Sequence, residues 1–315
     1  MENGFYSSPP PQNETILDYK KGSPERQALA AELDRQRQTR LDIPLLIGGK
    51  EIRTGRTATA VCPHDHHHVL ADFHQAGTNE VAEAVSAALK ARDGWEAMDW
   101  QSRAAVFLRA AELISGKYRT TLNAATMLNQ SKNVYQAEID SACELADFLR
   151  FNIFFMEQIY REQPARHSSG TWNRTDYRPL EGFVFAVTPF NFTAIAGNLP
   201  TSAAMMGNVV LWKPASTSVL SSWYVMRILL EAGLPPGVIN FIPGPGEKIG
   251  PQVLTDRNLA GIHFTGSTRV FNTMWKTVAD NIDSYKNYPR IVGETGGKDF
   301  VFAHSSAPPK LLRWL

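Results

Sequence analysis

The sequence predicts an α/β fold in which a Rossmann-type, doubly wound parallel sheet follows a helical N-terminal part. Two apolar runs of strand length, Phe183–Val187 and residues 209–212, lack the alternation of a half-exposed strand and therefore indicate strands covered on both faces. Polar side chains follow where these strands end, at Thr188, Asn191 and Lys213. Open α/β sheets bind their ligands at this carboxyl edge, so we expect the site there.

Changes of pattern along the chain predict its domain organisation. Residues 1–18 are polar and rich in proline, and we expect them to be disordered or only loosely tied down. The further divisions are a helical part at 19–162, an exposed polar hairpin at 163–180, the sheet core at 181–293, the start of another domain at 294–306 and a separate tail at 307–315.

Helical periodicity marks the N-terminal part. An amphipathic helix is predicted over residues 24–40, and another begins near Asn79, which we interpret as its N-cap. The longest helix is predicted over residues 134–160, where Glu144 heads an aromatic stripe at helical spacing. In an arbitrary helix such a stripe is core and its edge carboxylate reaches solvent.

Strands and helices alternate after the organising pair of strands. Gly246 and Gly250, at the start of one helix, leave room for a phosphate near free N–H groups, although glycine also marks a plain turn. The pattern lacks the G-x-G-x-x-G fingerprint of many dinucleotide sites. The strands predicted after residue 230 lie at 238–242, 261–264, 291–292 and 300–302.

Composition excludes several classes of partner. A formal net charge of +1 gives no global attraction to nucleic acid or to anionic membranes, so a small neutral or zwitterionic ligand fits better. No apolar stretch approaches the roughly 18 residues of a membrane span, and no targeting peptide is visible. The two cysteines, Cys62 and Cys143, indicate a reducing compartment rather than a disulfide scaffold.

A histidine-rich stretch near Cys62 raises the question of a metal site. Cys62, His64, His66 and His68 are possible ligands, but no distant second ligand pair accompanies them. We therefore predict no metal.

Several motifs together resemble the aldehyde dehydrogenase family. They are TPFNF at 188–192, LWKPAS at 211–216, FTGS at 264–267 and ETGGK at 294–298. Many relatives carry tryptophan at the position of Phe190. With phenylalanine there, the chain resembles the branch of the family that oxidises glutamate semialdehyde in proline breakdown. The resemblance implies a homodimer paired through residues 163–180. It also implies a mitochondrial matrix location if the source is eukaryotic and a cytoplasmic one if it is bacterial.

The resemblance also implies an NAD site. Lys213 would contact the adenosine ribose, whereas a strand-end lysine is otherwise usually solvated. The backbone amides of Gly266 and Ser267 open a helix and suit a pyrophosphate. Ser216 stands where many NAD-preferring relatives carry an acid, so some NADP use remains open. The further cofactor neighbours implied are Thr188, Thr268, Arg269 and Val270.

For the reaction, Asn191 is the candidate that stabilises the developing oxyanion, although it also suits a helix cap. Glu294 resembles the general base that activates water, with Gly296 and Gly297 beside it. Glu144 and Phe192 would face the aldehyde substrate, with the Glu144 carboxylate meeting its amino group.

The sequence departs from the family in its nucleophile. Neither Cys62 nor Cys143 matches the family's catalytic cysteine, and the resemblance stops after Ser306. We therefore expect a truncated form that keeps the cofactor domain, lacks most of the catalytic domain and is inactive alone. A non-catalytic module that binds NAD or pairs subunits is the alternative.

Overall fold

The computed structural model describes residues 7–297 and 302–308. Numbered in chain order, the strands are β1 (Leu41–Ile43), β2 (Leu45–Ile47), β3 (Lys50–Ile52), β4 (Thr57–Cys62), β5 (Asp65–His74), β6 (Phe183–Val187), β7 (Val209–Lys213), β8 (Ile239–Phe241), β9 (Leu259–Gly266) and β10 (Arg290–Thr295). The helices are α1 (Pro24–Gln38), α2 (Thr78–Ala97), α3 (Trp100–Ser115), α4 (Arg119–Gln130), α5 (Val134–Ala137), α6 (Leu145–Arg161), α7 (Thr193–Met205), α8 (Val219–Glu231), α9 (Gly246–Leu254) and α10 (Thr268–Asp280).

A seven-stranded sheet in the order β10-β9-β6-β7-β8-β2-β3 forms the central layer. The first five strands of that order are mutually parallel, with β6 between β7 and β9. The hairpin β2–β3 extends the sheet in antiparallel fashion. This topology confirms the predicted doubly wound α/β fold, because helices connect the parallel strands and cover both faces.

The core has two apolar layers, one on each face of the sheet. Along β6, Val184 and Ala186 pack into the layer that contains α3, α6, α7 and α8. Phe183 and Phe185 alternate with them and pack into the layer that contains α2, α9 and α10. Both faces of the strand are therefore dry, which explains its uninterrupted apolar sequence.

The N-terminal residues differ from the expected disorder. Residues 7–18 lie against α3, α4 and α6, and Glu14 forms ion pairs with Arg119 (2.9 Å) and Arg150 (2.7 Å). The backbone N–H of Glu14 also donates to Asp147. Residues 7–18 are therefore tied down rather than disordered, because partly buried charges on distant helices hold them in place.

The segment 163–180 contains no strand, contrary to the predicted hairpin. Its two arms are joined through side chains: Gln163 exchanges hydrogen bonds with the backbone of Thr175, and Tyr177 donates to the carbonyl of Glu162. An isolated two-stranded ribbon is marginal in water. Pairing of subunits through this segment stays a prediction.

Smaller differences concern helix ends. Helix α2 is capped by Gly77, so Asn79 lies inside its first turn and is not the cap. The predicted long helix at 134–160 is interrupted by a π-helical segment, Glu138–Glu144, between α5 and α6. The predicted strand at 300–302 falls mostly outside the described residues; Phe302 itself is in no strand.

Within residues 7–297 and 302–308, no helix combines the length and the apolarity needed to cross a bilayer.

Candidate functional site

A cavity of about 820 Å³ opens at the carboxyl edge of the sheet, between α9 and α10. Apolar side chains of both helices, including Leu254 and Met274, form much of its wall. Among the residues predicted to bind the cofactor, Thr188, Lys213, Gly266, Ser267, Arg269 and Val270 line it. Thr268, the first residue of α10, is exposed and is not among the lining residues.

Lys213 is the last residue of β7 and brings an ammonium group into the cavity wall. Burial lowers its pKa, an effect that the charge of Glu247 opposes. Its Nζ donates to the carbonyl oxygen of Pro214 at 3.1 Å. Within the described residues no carboxylate lies within ion-pair distance of Nζ, so further donors of this ammonium remain for a ligand.

Thr188 is a fixed hydrogen-bond donor at the end of β6. The indole Nε1 of Trp212 donates to Thr188 Oγ1 at 3.1 Å. Because the hydroxyl oxygen accepts this bond, its own proton is available to a ligand.

Two helix N-termini border the cavity. Ser267 caps α10, its Oγ accepting from the N–H of Val270 at 3.4 Å. Gly246 and Gly250 of α9 also line the cavity, with no side chain in the way. First-turn N–H groups have no partner inside their own helix and suit phosphate oxygens. The cavity therefore offers donors for a phosphorylated ligand beside an apolar slot.

A second group of predicted residues lies at the start of α7. Asn191 is exposed, and its side chain makes no hydrogen bond within the described residues. It does not cap α7. The carboxylate of Asp140 does so instead, accepting from the N–H groups of Thr193 (3.0 Å) and Ala194 (2.9 Å). The amide of Asn191 is thereby left available.

Asp140 and Lys132 support this turn and were missed in the sequence. Their side chains form a partly buried ion pair of 2.6 Å. Lys132 Nζ also lies 4.0 Å from the centre of the Phe192 ring. A helix cap that comes from a segment about fifty residues earlier leaves no local pattern, so it could not be recognised from the sequence alone.

Glu144, at the end of the π-helical segment, is half-buried. Burial raises the pKa of its carboxyl, Asp140 and Asp147 raise it further, and Lys132 opposes them. Since Lys132 also borders Phe192, Glu144 and Phe192 share the neighbourhood of one ion pair. Lys132 thus interacts with both residues predicted to face the substrate, through its charge with Glu144 and through its ring contact with Phe192.

Glu294 lies on the edge strand β10, exposed and in register with Thr265 of β9. Gly296 and Gly297 follow with φ of 133° and 112°, backbone conformations that favour glycine. Neither Glu294 nor Asn191 lines the cavity. The predicted catalytic residues are therefore outside the cavity that contains most of the predicted cofactor residues.

Both cysteines are buried away from the cavity lining. Cys143 is 4% exposed, and burial together with the nearby Glu138 raises its pKa to about 12. Cys62 is 2% exposed, with Sγ 3.1 Å from His64 Nε2. In the part of the chain that the structure describes, no group of three or more His, Cys, Asp or Glu side chains could hold a metal.

Comparison with known proteins places these features in context. A model of the aldehyde dehydrogenase family matches residues 52–311. The chain is 54% identical over 303 residues to delta-1-pyrroline-5-carboxylate dehydrogenase of Agaricus bisporus, covering 96% of this chain and 55% of that protein. It is 52% identical over 300 residues to the mitochondrial enzyme of that name from Dictyostelium discoideum, covering 95% and 54%.

A solved structure is similar as well. The delta-pyrroline-5-carboxylate dehydrogenase of Mycobacterium tuberculosis, bound with NAD, superposes with a TM-score of 0.93 at 51% identity. That match covers 99% of this chain and 58% of the other. The chain thus spans about half the length of the curated relatives it matches.

Proposed function

Because the chain belongs to the aldehyde dehydrogenase family, in its pyrroline-5-carboxylate dehydrogenase branch, we propose that it binds NAD in the cavity between α9 and α10. The reaction served is the oxidation of L-glutamate γ-semialdehyde to L-glutamate in proline catabolism. The observation that carries the proposal is a single cavity that combines Lys213, Thr188 and two helix N-termini with an apolar slot.

Each part of the cavity suits a part of the dinucleotide. We propose that the apolar side chains of Leu254 and Met274 contact the adenine ring and that Lys213 donates hydrogen bonds to the ribose hydroxyls, which is supported by the presence of all three residues in the cavity lining. The N-terminus of α10, with Ser267 and Arg269, favours the pyrophosphate. NAD, when bound, supplies the acceptor for the hydride that leaves the oxidised aldehyde.

The remaining site residues have proposed roles at the aldehyde. Asn191 donates its side-chain amide to the oxygen that becomes negative, and Glu294 activates the water that releases the acid. Glu144 accepts a hydrogen bond from the substrate ammonium beside Phe192. Asp140 and Lys132 position the Asn191–Phe192 turn through the contacts described above.

A second candidate function is a non-catalytic module that binds NAD or pairs subunits. The burial of both cysteines favours it, because covalent aldehyde oxidation needs an accessible thiolate. In either case the proposed assembly is a homodimer. The proposed compartment is the mitochondrial matrix for a eukaryotic source, in line with the Dictyostelium relative, and the cytoplasm for a bacterial one.

Titration of the purified chain with NAD tests the cofactor proposal, with tryptophan fluorescence as the signal. We expect saturable binding that weakens roughly tenfold in Lys213→Ala, the loss typical of a hydrogen bond from a charged donor. Lys276→Ala is the control, since this lysine is exposed on α10 outside the cavity. Equal affinity in wild type and Lys213→Ala would contradict the role of Lys213.

A further inference from the structure

We propose that Glu247 makes this cavity select NAD over NADP, by accepting a hydrogen bond from the ribose 2′-hydroxyl and repelling a 2′-phosphate. The inference rests on the proposed function, since it specifies which nucleotide the same cavity takes.

Glu247 lies in the first turn of α9 and lines the cavity together with Lys213. The two residues are neighbours: a Cβ placed on Gly246 would lie 3.8 Å from Lys213 Cε, and the charge of Glu247 acts on the Lys213 ammonium. If Lys213 meets the adenosine ribose, Glu247 therefore borders the same sugar.

The balance of charges around the cavity determines whether a 2′-phosphate is attracted or repelled, and this carboxylate changes that balance. Among the described lining residues, Lys213 and Arg269 carry positive charge and Glu247 carries the single negative one. A 2′-phosphate has a charge of about −1.5 to −2 at neutral pH, so the two cations alone would favour NADP. Glu247 opposes that attraction in the neighbourhood of Lys213, on whose ammonium its charge acts.

The carboxylate of Glu247 is also free to act on a ligand. It is exposed, and within residues 7–297 and 302–308 it makes neither an ion pair nor a hydrogen bond. Ser216, by contrast, lies in a 3₁₀ turn after β7 and is not among the residues that line the cavity.

The test is calorimetric titration of the 315-residue chain with NAD and with NADP. Wild type should bind NAD more tightly, and Glu247→Gln should bind NADP roughly tenfold more tightly while its NAD affinity changes less than about threefold. Glu83→Gln is the matched control, because it removes the same charge from an exposed position on α2 outside the cavity. It should leave the ratio of the two dissociation constants unchanged.

Salt supplies a second measurement that does not depend on a variant. The preference of wild type for NAD should shrink between about 0.05 and 0.5 M NaCl, because added salt screens exposed charges. In Glu247→Gln the ratio should change in the opposite direction, because only the attraction of Lys213 and Arg269 for the 2′-phosphate remains to be screened.

The outcomes separate the two proposals. Retained NAD binding with the same NAD-to-NADP ratio in wild type and Glu247→Gln would overturn the inference alone. Binding of neither nucleotide by folded wild-type chain would overturn the proposed function and the inference with it. An equal shift of the ratio in Glu83→Gln would attribute the effect to net charge and overturn the role of Glu247.

Discussion

The carboxyl of Glu144 is half-buried next to two other acids, and its pKa is raised by burial, by Asp140 and by Asp147. A carboxyl whose pKa is higher in the folded state than in the unfolded state binds more protons when folded. Stability therefore falls as pH rises from the ordinary value of 4.5 through the raised pKa, and above that range the ionised carboxylate is a constant penalty.

We accordingly predict that Glu144→Gln raises the melting temperature at pH 7.5, by about 2 °C. The gain should diminish towards pH 4.5, where wild type holds its proton. Thermal unfolding followed by circular dichroism between pH 4.5 and 7.5 measures the difference. A variant that is less stable than wild type at pH 7.5 would show that the carboxylate supports the fold, contrary to a site kept for a ligand's ammonium.

The location of a site residue could be predicted only where the residue directly follows or ends a predicted strand. Lys213 and Thr188 end buried strands, so the fold class alone put them at the sheet's carboxyl edge, and both line the cavity. Glu247 was not recognised, because a glutamate in a first helical turn is common. Its proposed role in nucleotide selection depends on its proximity to Lys213, which belongs to a different strand. Long-range electrostatics of this kind leaves no local pattern.

At the scale of elements, Asp140 joins the π-helical segment to α7. Its two oxygens hold the first two N–H groups of α7 and the ammonium of Lys132. We predict that Asp140→Ala lowers the free energy of unfolding by about 3 kcal/mol, because it leaves the partly buried ammonium of Lys132 and two backbone N–H groups without their acceptor. Urea unfolding measures the change.

Lys132→Met is the partner variant for this prediction. The double variant Asp140→Ala/Lys132→Met should lose less stability than the sum of the single losses, since it strands no charge. Additive losses would mean that the ion pair is not what Asp140 contributes.

Elements with an internal signal were predicted well, and those set by distant partners were not. The strands β6 and β7 were visible as continuous apolar runs, and their parallel pairing is confirmed. The π-helical turn was missed, because a single turn of i→i+5 hydrogen bonds inside a longer helix has no residue preference by which the sequence could show it. The hairpin expected at 163–180 has strand-like composition but no strand beside it in the described chain.

At the scale of the whole molecule, the residues suited to bind a nucleotide are accessible in one cavity, whereas the thiols that could attack an aldehyde are not. The sheet supplies a cavity suited to a nucleotide, whereas Cys62 and Cys143 are both buried outside its lining. A thiol with a pKa near 12, such as Cys143, is almost entirely protonated at neutral pH. Under the proposed function, the chain therefore has a site for NAD but no accessible thiolate to form the covalent intermediate.

We predict that the 315-residue chain binds NAD and forms no NADH from glutamate semialdehyde. Absorbance at the NADH band in a steady-state assay measures turnover, with a catalytically active aldehyde dehydrogenase as the positive control. Turnover that persists in Cys62→Ala/Cys143→Ala would contradict the need for a thiolate. Loss of turnover in only one single variant would identify that cysteine as the nucleophile.

The π-helical segment Glu138–Glu144 requires a set number of residues between α5 and α6. It contains Glu138, which accepts from the N–H of Leu17 in the anchored N-terminal segment, and Asp140, which caps α7. Deleting one residue here would turn everything before it by about 100° relative to α6. Both attachments would then face the wrong way, so the gain or loss of a single codon in this stretch should disrupt the fold more than any one substitution there, because it would break both attachments at once.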